Sequence, residues 1–215
     1  VQARLRVNEI FYSVQGESTQ AGRPCVFVRL TGCPLRCTYC DTAYAFHEGS
    51  FRDLDDIVLE VARYPCRLVE VTGGEPLAQP GCSALLQRLV DLGYEVLLET
   101  SGAFDLGLVP SGVRRIVDLK TPGSGEAAAN RWDNLDQLRP GDEVKFVVQS
   151  RADYEWARDV LRRHALNEKA VVLLSPEWNS PIRSQLAEWM LEDGLPARYQ
   201  LQLHKLLWPG VERGV

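Results

Sequence analysis

The chain lacks the roughly 18 continuous apolar residues that a membrane-spanning helix requires, although 45% of its residues are hydrophobic. Its first residues, VQARLRVNEI, lack the apolar core of a secretory signal, so a cytoplasmic location away from membranes is expected. It also lacks a surplus of positive charge: 24 Lys and Arg face 29 Asp and Glu, a net charge of −5. That argues against the basic surface used to read a nucleic-acid backbone, and no direct nucleic-acid binding is expected. A small anionic substrate stays open, because a pocket can be locally basic. Repeats and low-complexity tracts are missing as well. A length of 215 residues then suggests one domain over 1–215.

A further shortage lies in residues 31–42, TGCPLRCTYCDT. Three of the six cysteines, Cys33, Cys37 and Cys40, are spaced C-x3-C-x2-C. Bunching in one short loop looks like metal ligation in a reducing compartment rather than a disulfide framework. What is missing is a fourth ligand, which a structural zinc site normally has. The candidates are His47, Cys25, Cys66 and Cys82, and none completes a second C-x2-C pair. A non-enzymatic zinc-binding interaction module is therefore one reading. The other is a [4Fe–4S] cluster held by three thiolates, whose remaining iron is open to a small molecule. Tyr39, directly before the third cysteine, can shield such a cluster.

From residue 50 onward, helix-like and strand-like segments alternate. Apolar periodicity predicts helices over 53–64, 82–93, 154–164 and 181–191. Gly93 closes the second, and Pro181 stands at the start of the last, where its missing N–H costs nothing. Strands are predicted over 25–30, 67–71, 94–100, 114–120, 142–149, 169–176 and 198–204. This alternation predicts an α/β domain with a largely parallel sheet. TGGEP (72–76), ETSG (99–102), DLK (118–120), LSPEW (174–178) and LHK (203–205) run off the strand ends, where ligands bind in such folds. GEST (16–19) is placed to cover that mouth.

The cysteine loop with its aromatic resembles the loop of the radical SAM enzymes. VTGGEP (71–76) resembles their glycine-rich segment, whose backbone meets the methionine amino group of S-adenosylmethionine (SAM). Gly73 and Gly74 allow close approach there, and Glu75 and Pro76 fix the turn. Further segments resemble the 7-carboxy-7-deazaguanine synthase family: VNEIFYSVQGES (7–18), RPCVFVRLTGC (23–33), CDTAYAF (40–46), ETSG, DLKTPGSGE (118–126) and LQLHKLLWPGVERGV (201–215). The resemblance implies a compact modified partial (β/α) barrel with six core parallel strands and a reduced helix set. It implies a [4Fe–4S] cluster, SAM and Mg²⁺. The 5'-deoxyadenosyl radical would take the C6 hydrogen of 6-carboxy-5,6,7,8-tetrahydropterin. The ring would contract with loss of ammonia, SAM would be regenerated, and the product would feed queuosine and other 7-deazapurines. A homodimer and a reduced flavodoxin or similar electron donor are also implied.

Residue by residue, the resemblance puts Gln15, Gly16, Glu17, Arg29, Thr72 and His204 at the substrate. It puts Gly73, Gly74, Glu75, Glu99, Thr100, Ser101, Lys120 and Ser175 near SAM, with Tyr39 beside the cluster. Arg29 suits a carboxylate, through two parallel hydrogen bonds. Thr42 would ligate Mg²⁺, although Asp41 and Thr42 also read as a helix cap. Asp118 and Lys120 face the same way in a strand and read equally as a plain ion pair. The family commonly has glycine after the Q-G-E glutamate, where this chain has Ser18. His164 reads as a surface residue, and His47 as a substrate contact or a loop cap. The rival within the superfamily is an activase that acts on a partner protein.

Overall fold

A computed structural model of the chain describes residues 3–215. The chain opens on two strands, β1 (Arg4–Val14) and β2 (Pro24–Leu30). The cysteine loop follows, with a 3-10 turn over Ala43–Phe46. Then come β3 (Ser50–Asp53), α1 (Leu54–Val61), β4 (Leu68–Gly73), α2 (Cys82–Asp91), β5 (Glu95–Thr100) and β6 (Val113–Asp118). The second half carries β7 (Glu143–Val148), α3 (Arg151–His164), α4 (Leu166–Lys169), β8 (Val171–Pro176), α5 (Arg183–Glu192), β9 (Arg198–Tyr199) and α6 (Leu203–Leu207).

All nine strands form one sheet in the order β3-β1-β2-β4-β5-β6-β7-β8-β9. β2 and β4 to β9 run parallel. β1 and β3 add an antiparallel edge. Six parallel strands of six or seven residues therefore make the core, and β9 contributes only two residues. β3 and β9 stay at the two edges, so the ladder is open rather than closed.

The period-two pattern of the strands separates two faces. Val26, Val28, Val69, Val71, Val96, Leu98, Val117, Val144 and Phe146 point outward and pack with the helices into the main core. Phe11, Cys25, Phe27, Leu68, Leu97 and Ile116 form a small apolar cluster on the other face. Above that floor the same face turns polar, and residues from β2 through β8 line one cavity. The sheet thus wraps around its inner face.

The crossovers into β6 and β7 carry 3-10 turns where a full barrel has helices. Glycine and proline at 107, 110, 112, 122, 123, 125, 140 and 141 break helical propagation there. Buried Asn134 replaces the missing helical bonds. It accepts from the Leu106 N–H and donates to the Gly102 and Phe104 carbonyls.

Two predicted elements change. The last strand stops at Tyr199, and 203–207 is helical, so the LHK segment lies on α6 instead of a strand end. The backbone leaves the ladder because the Leu203 N–H is taken by the Gly16 carbonyl at 2.9 Å. The helix predicted from Pro181 begins at Arg183, with Ile182 at its cap. The Q-G-E segment is preceded by the long strand β1, which periodicity did not indicate.

Candidate active site

The cavity has a volume of about 530 Å³ and sits at the carboxyl ends of the parallel strands. Cys33, Cys37 and Cys40 line it, whereas Cys25, Cys66 and Cys82 do not. The loop bearing the thiols is held from two sides. Gly32 N–H donates to Ala45 O at 2.8 Å, and Thr38 donates through its N–H to Ser124 O at 3.0 Å and its hydroxyl to Gly123 O at 2.9 Å. Arg36 N–H donates to Glu126, and the Arg36 guanidinium lies 4.3 Å from the Phe46 ring centre. The DLKTPGSGE segment is therefore a clamp on the cysteine loop.

The glycine-rich turn meets the same loop from below. Gly73 has φ +147°, and a Cβ there would stand 2.1 Å from Leu30 O. A Cβ on Gly74 would stand 2.3 Å from Gly32 O and 2.9 Å from the Cys33 Cβ. Only glycine permits this approach. The Gly74 and Glu75 N–H groups then bond to Leu30 O and Gly32 O, at 3.1 and 2.8 Å.

Glu75 differs from its expected role at SAM. Its side chain is fully buried and does not line the cavity. The carboxylate accepts from Thr100 Oγ1 at 2.8 Å, Ser101 N at 2.7 Å, Ser101 Oγ at 2.5 Å and Leu77 N at 2.9 Å. It ties the TGGEP turn to ETSG. Gly73, Gly74, Glu99, Thr100, Ser101, Lys120, Ser175 and Tyr39 do line the cavity.

The wall is a ring of charge. Arg29 on β2 and Thr72 on β4 are register partners. Arg29 Nε donates to Glu9 at 2.8 Å, and the guanidinium lies 5.7 Å from the Phe11 ring centre. Its two Nη groups make no hydrogen bond among the described residues and remain available to a carboxylate. Thr72 donates to Glu99 at 3.3 Å. Lys145 on β7 pairs with Glu99 at 2.9 Å and with Glu17. Burial works against the Lys145 charge, but these two carboxylates hold its ammonium well above the ordinary range. Lys145 is a cavity residue that sequence reasoning missed. Its only signal was a lysine inside the apolar strand EVKFVV.

Asp118 and Lys120 form the expected ion pair, at 2.8 Å, and both line the cavity. Asp118 Oδ1 and the Tyr39 hydroxyl are buried with no hydrogen-bond partner among the described residues. Burial pushes the Cys33 thiol up and the Cys37 thiol up to about 11, while the Lys120 charge pulls both back.

The Q-G-E segment and the C-terminal helix close the far side. Glu17 accepts from Gln202 at 2.9 Å, from Gln200 at 3.1 Å and from Lys145. Burial opposes its charge, but Lys145 and Gln202 hold the carboxyl below its usual value. Ser18 has φ +62°, a left-handed conformation that explains why glycine suits this position. His204 lines the cavity from α6, and burial lowers its imidazole. Gly16 seats this helix: a Cβ there would stand 2.1 Å from His204 Nδ1. Gly16→Ala is expected to lift 202–204 away and raise the substrate KM about tenfold, the loss of roughly one net hydrogen bond, with iron content unchanged. An unaltered KM would contradict the seating role.

Thr42 occupies a cap position on the 3-10 turn, but its side chain makes no cap hydrogen bond. The hydroxyl faces the cavity beside Cys40 Sγ, 3.8 Å away. Asp41 instead pairs with Lys205 at 2.6 Å. Burial would raise that carboxyl, yet Lys205 and Gln202 outweigh it and hold it at about 2. His47 and His164 lie off the cavity: the His47 carbonyl accepts from Arg6, and the His164 ring stacks on Trp132 with centres 5.4 Å apart.

The donor set fits an iron–sulfur cluster. Among the described residues, no three His, Cys, Asp or Glu side chains converge closely enough for one metal ion. A closed zinc site needs that convergence, whereas a four-iron cluster places each thiolate on its own iron. Three thiols over an open parallel sheet, facing a glycine turn and a charged cavity, define a radical SAM enzyme. The Radical SAM superfamily model matches residues 27–122. The chain is 46% identical to a 7-carboxy-7-deazaguanine synthase of Koribacter versatilis, over 98% of this chain and 100% of that one. It is 45% identical to a 7-carboxy-7-deazaguanine synthase of Chlorobaculum tepidum, over 100% and 99%. The fold resembles the crystal structure of QueE from Escherichia coli, with TM-score 0.78, 24% identity and 94% and 95% coverage. The chain belongs to the 7-carboxy-7-deazaguanine synthase family.

Proposed function

We propose that the cavity converts 6-carboxy-5,6,7,8-tetrahydropterin to 7-carboxy-7-deazaguanine, with ammonia as the leaving product. The [4Fe–4S] cluster and SAM supply, when bound, a one-electron cleavage that yields the radical for abstraction of the C6 hydrogen. Cys33, Cys37 and Cys40 would hold the cluster. Lys120 brings positive charge beside the thiols, which favours their ionised form.

The observation that carries the substrate assignment is the split between the two ends of the cavity. Toward the cysteine loop, Arg29 presents two unengaged Nη groups and Thr42 an uncapped hydroxyl. A carboxylate would bind there, with Mg²⁺ on the Thr42 oxygen, a hard ligand of the kind magnesium takes. Toward β1 and α6, Glu17 stays ionised, with one oxygen holding two donors and the other holding one. The remaining lone pair can accept from the amino-pyrimidinone edge. Thr72 and Glu99 bridge the two ends. Gly73, Gly74, Lys120 and Ser175 would position SAM from the strand ends. His204 closes the cavity over Gly16 and limits water.

Thr42→Ala should raise the Mg²⁺ concentration needed for half-maximal rate about tenfold or more, as metal-site changes commonly do, with iron content retained. An unchanged magnesium response would remove Thr42 from the site. One domain over 1–215, a cytoplasmic homodimer and a reduced flavodoxin donor complete the reading, supported by the family resemblance. Among the described residues no helix is long and apolar enough to cross a membrane.

The test is anaerobic incubation of the reconstituted enzyme with reductant, SAM, Mg²⁺ and the carboxylated tetrahydropterin. Mass and ultraviolet spectra should report ring contraction, with ammonia released in equal amount. Reductive SAM cleavage with no deazapurine would overturn the assignment and favour an activase.

A further inference from the structure

Glu70 lines the same cavity. It lies on β4 two residues before Thr72, on the same inner face and one pleat deeper. Its register partners are Phe27 on β2 and Leu97 on β5, both members of the apolar floor. The side chain is buried and lines the cavity. Its one hydrogen-bond partner among the described residues is Gln15, whose Nε2 donates to Glu70 Oε2 at 2.5 Å. Gln15 in turn accepts from the Glu17 N–H at 3.0 Å. Both ends of the Gln15 amide are thus engaged by protein, and it links Glu70 to the Q-G-E segment.

Charge balance gives Glu70 a distinct character. Glu17 and Glu99 share the single ammonium of Lys145. The third carboxylate, Glu70, lies one pleat below them and has no ion-pair partner among the described residues. Burial, followed by Glu99 and Glu17, pushes the Glu70 carboxyl well above the usual range, and the Gln15 bond and Lys145 only partly offset this. The Cys25 thiol on β2 also faces it and is itself pushed up by burial. A carboxylic acid that keeps its proton is a donor, the opposite of Glu17.

We propose that Glu70 is a specificity-determining residue, donating from the cavity floor to the acceptor atom that flanks the donor pair of the substrate's amino-pyrimidinone edge. The inference rests on the pterin reading above. An amino-pyrimidinone presents adjacent N–H donors bordered by a carbonyl oxygen and a ring nitrogen, both acceptors. A cavity with only carboxylates would read the donors and leave the flanking acceptors unpaired, at a cost in affinity. Glu17 as acceptor and Glu70 as donor, joined through Gln15, match the alternation. Heterocycles with the reverse pattern would meet like against like.

The test measures kcat and KM for the carboxylated tetrahydropterin across pH, on reconstituted wild type, Glu70→Gln and Glu70→Leu. Iron content, melting temperature and uncoupled SAM cleavage without substrate are read in parallel. Glu70→Leu fills the apolar layer but removes the donor, and should raise KM by roughly tenfold, about one net hydrogen bond. Glu70→Gln keeps a donor and should hold KM within about threefold. Wild-type KM should climb as pH rises through the raised pKa, because the donor is lost and a negative charge appears. The Glu70→Gln profile should be flat over that span. A purely structural role would move melting temperature and iron content and leave the pH profile of KM alone. Unchanged KM in Glu70→Leu, or the same pH profile in wild type and Glu70→Gln, would overturn the proposal. If Glu70→Leu fails to fold, the comparison of wild type with Glu70→Gln decides alone. Wild type forming no deazapurine would overturn the pterin reading itself.

Discussion

Cys33→Ala, Cys37→Ala and Cys40→Ala should each lose turnover by on the order of a thousandfold or more, the scale seen when one member of a unit is removed. The reason is geometric. These three thiols face the cavity, and the other three cysteines do not. Cys25 lies in the apolar floor, and Cys82 in the outer core. Cys66 packs between these clusters and donates to Pro24 O at 3.1 Å. No spare thiol can therefore replace a lost ligand. Iron and sulfide analysis after anaerobic reconstitution checks the result. Single serine substitutions at Cys66 and Cys82 should retain four irons per chain, the content of one [4Fe–4S] cluster. Near-normal turnover in any of the three alanine variants would break the ligand assignment.

Glu75→Ala should be the most destabilising change near the site. The carboxylate is fully buried and accepts four donors: the Leu77 and Ser101 N–H groups and the Thr100 and Ser101 hydroxyls. Hydroxyls can turn to other partners, but the two backbone donors cannot. Each buried donor left unmade costs about 1–3 kcal/mol, so a loss of roughly 3–5 kcal/mol is expected. That corresponds to a melting temperature lower by roughly 10 °C in a chain of this size. Glu75→Gln keeps an accepting oxygen and should lose much less. Because Glu75 N–H bonds to Gly32 O next to Cys33, the alanine variant should also assemble its cluster poorly. Thermal denaturation of the apoprotein separates this from a SAM contact. A wild-type melting curve with a raised KM for SAM would return Glu75 to the cofactor.

The two carboxylates Glu75 and Glu70 show where a sequence can be read and where it cannot. TGGEP was legible as a turn at a strand end, because glycines and proline leave a local pattern. Its glutamate reads as fixing that turn, and the Leu77 N–H bond agrees, but the partners Thr100 and Ser101 come from a different strand end and leave no local sign. Glu70 sat inside RLVEV, where one acid among apolar residues gives no hint of Gln15. Lys145 was hidden in the same way within EVKFVV. Parallel strands and outer helices were legible, because their periodicity is local. RYQLQLH imitated a strand through its alternation, yet only Arg198 and Tyr199 pair with β8. The competing partners, Gly16 and Glu17, lie nearly the whole chain away. The cysteine loop was legible as a three-thiol site because all three thiols fall within eight residues.

The most direct test of the account is turnover of a substrate deuterated at C6, under anaerobic conditions, with SAM recovered and analysed by mass. If the C6 hydrogen passes to the SAM-derived radical and SAM is regenerated, deuterium should appear in the recovered SAM while deazapurine accumulates. Deazapurine formation with unlabelled SAM, or SAM cleavage without deazapurine, would contradict it.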